Sequence, residues 1–302
     1  MSDRLFFSVL ASLWRRYKIS ALIEKTRKNN GLPMCRFVVY WGKKTVNLSD
    51  WILTADNCLL QQSKCDTSQR PNPDGWGFAY RNGKDIVLIK RPQPAFEDKE
   101  YQTVARKIKS DLLFAHVRRQ SQGDICFENT HPFVRDNWMF MHNGNIPNLP
   151  HYKKQLGTRL AKHLAGDIKG TTDSEFFFQY FMYWLRKSNN CDIYCMLNLV
   201  YSVIHGVIEL TEPKNRQQLA LNFVISNGEF IIGFRRNRSL FYTSLDDALV
   251  IASEKINHRL EWNEVPENHF IVAVQPTEIR LAAYDIELKK QLITTSVSHQ
   301  RR

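Results

Sequence analysis

The stretch LPMCRFVVYWG, Leu32 to Gly42, decides how the rest of the chain is read. From Cys35 to Trp41 it is a β-branched and aromatic run, the composition of a buried strand. A Met-Cys pair opens that strand, yet it lies well inside the numbered chain. Residues 1–33 carry Arg4, Arg15, Arg16, Lys18, Lys25, Arg27 and Lys28 against Asp3 and Glu24. Leu5–Trp14 is apolar but too short to span a bilayer. Arg15, Arg16 and Lys18 stand where a cleaved signal peptide needs small residues. Residues 1–34 are therefore expected to be a leader: a propeptide, or a segment upstream of a true start at Met34. The second is favoured, because a propeptide has no need of Met directly before Cys35. The expected organisation is this leader, one domain over residues 35–276 and a polar C-terminal extension over 277–302.

The chain of 302 residues has a formal net charge of +12, with 43% hydrophobic and 24% charged residues. That is the make-up of a folded globular protein, not of a disordered one. Positive charge alone suits nucleic acid, but no zinc-finger spacing, RNA-recognition signature or long Lys/Arg run accompanies it. Neither nucleic acid nor membrane is an expected partner. Six cysteines in a chain this long do not suggest a disulfide framework. Cys191 and Cys195, four apart at the start of a helical pattern, lack two further zinc ligands and read as core packing. The expectation is a cytoplasmic protein with no metal and no cofactor.

After Cys35, strand and helix signals alternate without a linker. Asp50–Ser63 reads as one helix after Ser49, and Asp98–Ser110 as another. Asn82-Gly83 and Asn227-Gly228 mark hairpins, while Leu112–Val117, Trp138–His142, Ala248–Ala252 and His269–Val274 read as strands. Thr171–Glu175 opens a helix with cap-rich chemistry. Ile193–Leu210 follows Asp192 and is apolar on most faces, so it is expected to be well buried. Strands in hairpins with helices in two batches predict an α+β domain, two sheets sandwiched between helices.

Four short blocks carry the residues that chemistry needs. They are Met34-Cys35-Arg36-Phe37, then Asp74-Gly75-Trp76-Gly77-Phe78. The third runs from His116-Val117-Arg118 through Glu128-Asn129-Thr130-His131-Pro132-Phe133 to His142-Asn143-Gly144, and the fourth is Gly170-Thr171-Thr172-Asp173-Ser174-Glu175. In this order they resemble the class II glutamine amidotransferases of the N-terminal nucleophile hydrolase superfamily, from Cys35 to about Pro276. The likeness is strongest to small stand-alone members, among them subunits that cleave γ-glutamyl amides in ergothioneine synthesis and glutathione breakdown. It implies a four-layer αββα sandwich of two mainly antiparallel sheets.

The resemblance also implies roles. A thiol attacks well only as thiolate, so Cys35 needs a base. If Cys35 is the first residue its own α-amine, titrating near pH 7.7–8.0, supplies one; an internal Cys35 has only an amide nitrogen. Attack on a carboxamide creates an oxyanion, for which the resemblance assigns the side-chain amide of Asn143 and the backbone N–H of Gly144. Arg118 resembles the arginine that binds the substrate α-carboxylate. Asp173 resembles the carboxylate that binds its ammonium, and is also suited to cap the helix. Ser121 is expected to add a hydrogen bond, and His131 and Phe133 to belong to a loop covering the glutamyl group. The implied activity is hydrolysis of the side-chain amide of L-glutamine or a related γ-glutamyl amide through a Cys35 thioester, and ammonia transfer would need a separate partner enzyme subunit. The alternative is a non-catalytic binding or regulatory subunit whose Cys35 amine is blocked by the leader.

Overall fold

The computed structural model describes residues 35–155, 164, 166–188 and 192–284; the expected leader and residues 285–302 lie outside the described residues. In chain order the strands are β1 (Arg36–Asn47), β2 (Trp76–Asn82), β3 (Asp85–Arg91), β4 (Lys109–Val117), β5 (Phe133–Arg135), β6 (Trp138–Asn145) and β7 (Ala220–Ser226). They continue with β8 (Ile231–Arg235), β9 (Phe241–Ser244), β10 (Ala248–Ala252), β11 (Asn263–Glu264), β12 (His269–Gln275) and β13 (Glu278–Ala283). The helices are α1 (Leu59–Lys64), α2 (Lys99–Lys107), α3 (Leu149–Gln155), α4 (Asp173–Leu185) and α5 (Ile193–Leu210).

The strands form two antiparallel sheets. One runs in the order β11-β9-β10-β1-β4-β2-β3 and the other β13-β12-β8-β7-β6-β5. Strand alternation sorts the core into layers. Phe37, Val39, Trp41 and Phe114 of the first sheet meet Met139, Met141, Val224 and Ile271 of the second in one buried cluster between the sheets. The opposite face of the first sheet, with Val38, Tyr40, Leu113 and Ala115, packs on Leu59 of α1 and Tyr101 and Ala105 of α2. The far face of the second, with Phe140, Phe223 and Phe234, packs on Phe177, Phe178 and Phe181 of α4 and Val200 and Ile204 of α5. Each such aromatic or branched side chain contributes roughly 1.5–3 kcal/mol by leaving water. The result is the expected helix–sheet–sheet–helix sandwich.

Four local expectations are corrected. The single helix over Asp50–Ser63 is broken into a π-helical turn at Asp50–Thr54 and α1. The break lies where Asn57 is tied to another loop, its N–H to the Ile256 carbonyl at 3.0 Å and its side-chain amide to the Lys255 carbonyl at 2.8 Å, so its backbone cannot continue the helical ladder. Helix α5 starts after Asp192, whose side chain accepts from the Cys195 N–H, but it buries one face, through Met196, Leu197, Val200, Val203, Ile204 and Val207. Cys195 is disulfide-bonded and not a free core thiol; the other half of the Cys191–Cys195 reading lies outside the described residues. Strand β13 pairs with β12 and extends the second sheet past Pro276.

Candidate active site

Side-chain alternation places the site. Cys35 precedes β1 in register with Phe37 and Val39, whose side chains fill the space between the sheets. Arg118 follows β4 in register with Phe114, and Asn143 lies on β6 in register with Met139 and Met141, again on that inner face. β1 pairs with β4 through Arg36↔Val117, which brings Cys35 and Arg118 to the same end of the first sheet. Three strand ends from two sheets thus aim a thiol, a guanidinium and a carboxamide into one space.

The Cys35 thiol lies 3.3 Å from both the N–H and the carbonyl oxygen of Arg119, accepting from one and donating to the other. Burial pushes its pKa up; the Arg119 N–H and the positive charges of Arg118 and Arg36 pull it back, and the Asp173 carboxylate pushes it further up. The thiol therefore keeps its proton near neutral pH and needs a base to become a nucleophile.

Behind Cys35 sits a buried ionic cluster that the sequence did not reveal. Arg36, on the opposite face of β1, bonds Glu254 through Nε at 2.5 Å and Asp66 through Nη2 at 2.8 Å. Its Nη1 donates to the Cys35 carbonyl at 2.9 Å, so the cluster fixes the peptide that carries the Cys35 thiol. Only the oddity of an arginine inside an apolar strand hinted at it, and its partners lie far away in sequence.

Arg118 is buried and shapes the loop that follows it. Its guanidinium donates to the carbonyls of Gln122 (2.9 Å), Gly123 (3.2 Å) and Asp124 (3.0 Å). Gln122 in turn donates to Asn145 Oδ1 at 2.7 Å, joining this loop to the end of β6, and the Gln120 N–H donates to Asp74 at 2.7 Å. The helix is capped by Thr172, not by Asp173 as the sequence suggested: the Thr172 hydroxyl accepts from the Glu175 N–H at 3.2 Å. Asp173 is the first residue of α4; it accepts from the Ile146 N–H at 2.7 Å and the Ser174 N–H at 2.9 Å, which draws the carboxylate to the end of β6 just beyond Asn143 and Gly144.

Asn143 is buried, and its side-chain amide makes no hydrogen bond among the described residues, leaving its donors open to a ligand. Gly144 admits no side chain: a Cβ there would overlap the Ala220 carbonyl oxygen and the His142 ring. His142 points the other way, bonded to Ser174 Oγ at 2.9 Å and the Ala220 carbonyl at 3.1 Å. Gly144→Ala is therefore expected to separate β6 from β7, lowering the melting temperature by several degrees and removing activity together; both are read from one purified variant.

Two expected site residues stand elsewhere. Ser121 is exposed and makes no hydrogen bond among the described residues. His131 is buried, stacked on His116 with ring centroids 4.3 Å apart and edge-on to Phe133 at 4.6 Å. It is a packed interior residue of the loop between β4 and β5, where the two imidazoles and Phe133 bury one another. Burial, with the nearby Arg118 and His142 charges, pushes His116 down to about 3, and burial with the neighbouring histidines holds His131 well below the ordinary range. Both are neutral at physiological pH. Among the described residues no group of His, Cys, Asp and Glu has metal-binding geometry.

The comparisons with known proteins fit this arrangement. The family model for class-II glutamine amidotransferases matches residues 54–278. The chain is 27% identical over 295 residues to a probable glutamine amidotransferase, DUG3, of Saccharomyces cerevisiae, covering 81% of this chain and 83% of the relative. It is 26% identical over 243 residues to the gamma-glutamyl-hercynylcysteine sulfoxide hydrolase of Mycolicibacterium smegmatis, covering 79% and 95%. Its fold is shared with the solved glutamine aminotransferase class-II domain protein of Silicibacter pomeroyi at a TM-score of 0.59 and 20% identity, over 82% of this chain and 99% of that one. With a family match spanning most of the chain and the paired antiparallel sheets of the solved relative, this chain belongs to the class-II glutamine amidotransferases.

Proposed function

We propose that this protein hydrolyses the side-chain amide of L-glutamine or a related γ-glutamyl amide through a thioester on Cys35. The observation that carries this is the convergence of Cys35, Arg118, Asn143 and Asp173 at one end of the space between the sheets. The base is the α-amine of Cys35 itself. The neighbouring histidines do not serve: burial makes His116 and His131 too weakly basic to take up a proton, and both nitrogens of His142 are engaged.

In this reading Arg118 takes the substrate α-carboxylate and Asp173 its ammonium, opposite charges that fix the side-chain amide carbonyl carbon over the sulfur. The amine accepts the thiol proton and the thiolate adds to the carbonyl carbon of the side-chain amide. The oxyanion accepts from Asn143 and the Gly144 N–H. When the C–N bond breaks, the leaving nitrogen takes the proton from the amine, and water then cleaves the thioester to release glutamate. Transfer of the ammonia, in place of its release, calls for a partner enzyme subunit. Asn143→Ala is expected to lower kcat about 10²–10³-fold with little change in KM, measured by ammonia release from glutamine.

Because an α-amine titrates near pH 7.7–8.0 and acts only when neutral, kcat/KM is expected to rise with pH through about 8. Ammonia release is to be compared in the full-length chain and in one beginning at Cys35, with N-terminal sequencing of each. Activity only where Cys35 leads supports the reading; equal activity with residues 1–34 still attached removes the amine as base.

A further inference from the structure

Arg238 is a buried cation for which the described fold supplies no anion. It is 8% exposed. Its guanidinium donates through Nη1 to the Asn237 carbonyl at 2.8 Å, and its Nε–H has no acceptor. Among the described residues no carboxylate pairs with it. A buried guanidinium left in this state has lost its water without replacement, so the site gains when an acceptor arrives.

The neighbouring residue fixes where this cation lies. The Ser239 carbonyl accepts from Asn222 Nδ2 at 3.1 Å, and Asn222 on β7 is the register partner of Asn143. Ser239 Oγ donates to the Ser253 carbonyl at 2.7 Å. Ser253 is bonded to Phe37 by its own N–H at 3.1 Å and by Oγ at 2.9 Å. Ser239 thus joins the strand beside the oxyanion donors to the start of the strand that carries the nucleophile. In the first sheet β1 lies between β4 and β10. Arg118 follows β4, and Ser253, to which the Arg238 loop is tied, follows β10. The two arginines therefore flank Cys35 from opposite sides. Electrostatics agree with this placement: burial and the Arg36 charge hold the Arg238 pKa below its ordinary value, and the Cys35 thiol acts on it in the opposite direction.

We propose that Arg238 is the subsite for the departing amine, and that the preferred substrates are γ-glutamyl compounds whose amine portion carries a carboxylate. The inference rests on the hydrolytic reading above and deepens it. A γ-glutamyl substrate with its α-carboxylate on Arg118 and its amide carbonyl carbon at Cys35 extends its amine portion toward Arg238. There a carboxylate accepts from the free edge of the guanidinium fork. Glutamine releases ammonia and leaves that fork empty.

The test is a ratio measured within one preparation, from which a loss of folded or active protein cancels. Turnover of γ-L-glutamylglycine, γ-L-glutamylglycinamide and L-glutamine is followed by release of the amine, in whichever form of the chain, full-length or beginning at Cys35, is active. The wild type is expected to favour γ-glutamylglycine over its amide by about ten- to a hundredfold in kcat/KM, the range of a charge-assisted hydrogen bond. Arg238→Gln is expected to bring that ratio close to one, and Arg238→Lys to keep part of it. A wild-type ratio near one, or a ratio retained in Arg238→Gln, overturns the proposal while leaving the hydrolytic reading intact. Failure to cleave any of the three substrates overturns both.

Discussion

Cys35→Ser is expected to lower amide hydrolysis by roughly four to six orders of magnitude, the scale seen when a hydrolase loses its nucleophile. The change removes one polarisable atom and little volume, so the fold should persist and the loss should appear in kcat. Its size follows from proton chemistry. The buried thiol already resists ionisation, held up by burial and by Asp173, and an amine titrating near 8 is just able to take its proton. A hydroxyl is far less acidic and a poorer nucleophile, so the same amine leaves it almost wholly protonated. Single-turnover assays with circular dichroism on the same sample separate this outcome from misfolding. A fall of only tenfold would mean that the sulfur does not attack the substrate.

The largest expected effect on stability is at Glu254. Glu254→Ala is expected to cost about 3–5 kcal/mol, the usual penalty for leaving a buried charge without its partner. Glu254 accepts from Arg36 Nε at 2.5 Å, from Thr67 through its N–H at 3.1 Å and hydroxyl at 2.6 Å, and from Asn57 at 3.3 Å. Its removal leaves the Arg36 Nε and the Thr67 and Asn57 donors without their acceptor, with Asp66 the carboxylate still paired with the guanidinium. Arg36 also holds the Cys35 carbonyl, so surviving protein should show reduced kcat. The cluster gives a pH signature too. Burial alone would raise Asp66, but hydrogen bonds from Ser68 and the Arg36 charge outweigh it and hold the carboxyl below its ordinary value of 3.8. A depressed carboxylate contributes stability above the unfolded pKa and loses it as pH falls through the folded one, so this part should begin to fall near about pH 4 and be lost at still lower pH. Urea unfolding at pH 7 and at successively lower pH measures both effects.

How far the sequence could be read depends on the distance over which its signals act. β1, the Asn82-Gly83 and Asn227-Gly228 hairpins and the start of α5 after Asp192 were legible because composition, turn residues and caps are local. β5, β9 and β11 were missed; strands of two to four residues show no period. The helix break at Asn57 was missed because its cause is a bond to a loop near residue 256. The same holds at the site. Cys35, Arg118, Asn143 and Asp173 sit in short blocks whose order resembles a family, and the structure gathers them. Ser121 and His131 share those blocks, yet one is exposed and the other packed inside, since a block does not say which way each side chain points. Arg36 meets Glu254 across 218 positions, and Arg238 gains its meaning only through its neighbour Ser239, which meets Asn222 and Ser253 far off in the chain. No local pattern records such pairings.

The central claim is that the sulfur of Cys35, led by its own free amine, carries the glutamyl group. Acid-quenched mass spectrometry during steady turnover of γ-glutamylglycine or L-glutamine, with peptide mapping, tests it most directly. The account predicts a glutamyl thioester on a peptide that begins at Cys35, absent in Cys35→Ser. Turnover with no adduct on Cys35, or with the adduct on another residue, would contradict it.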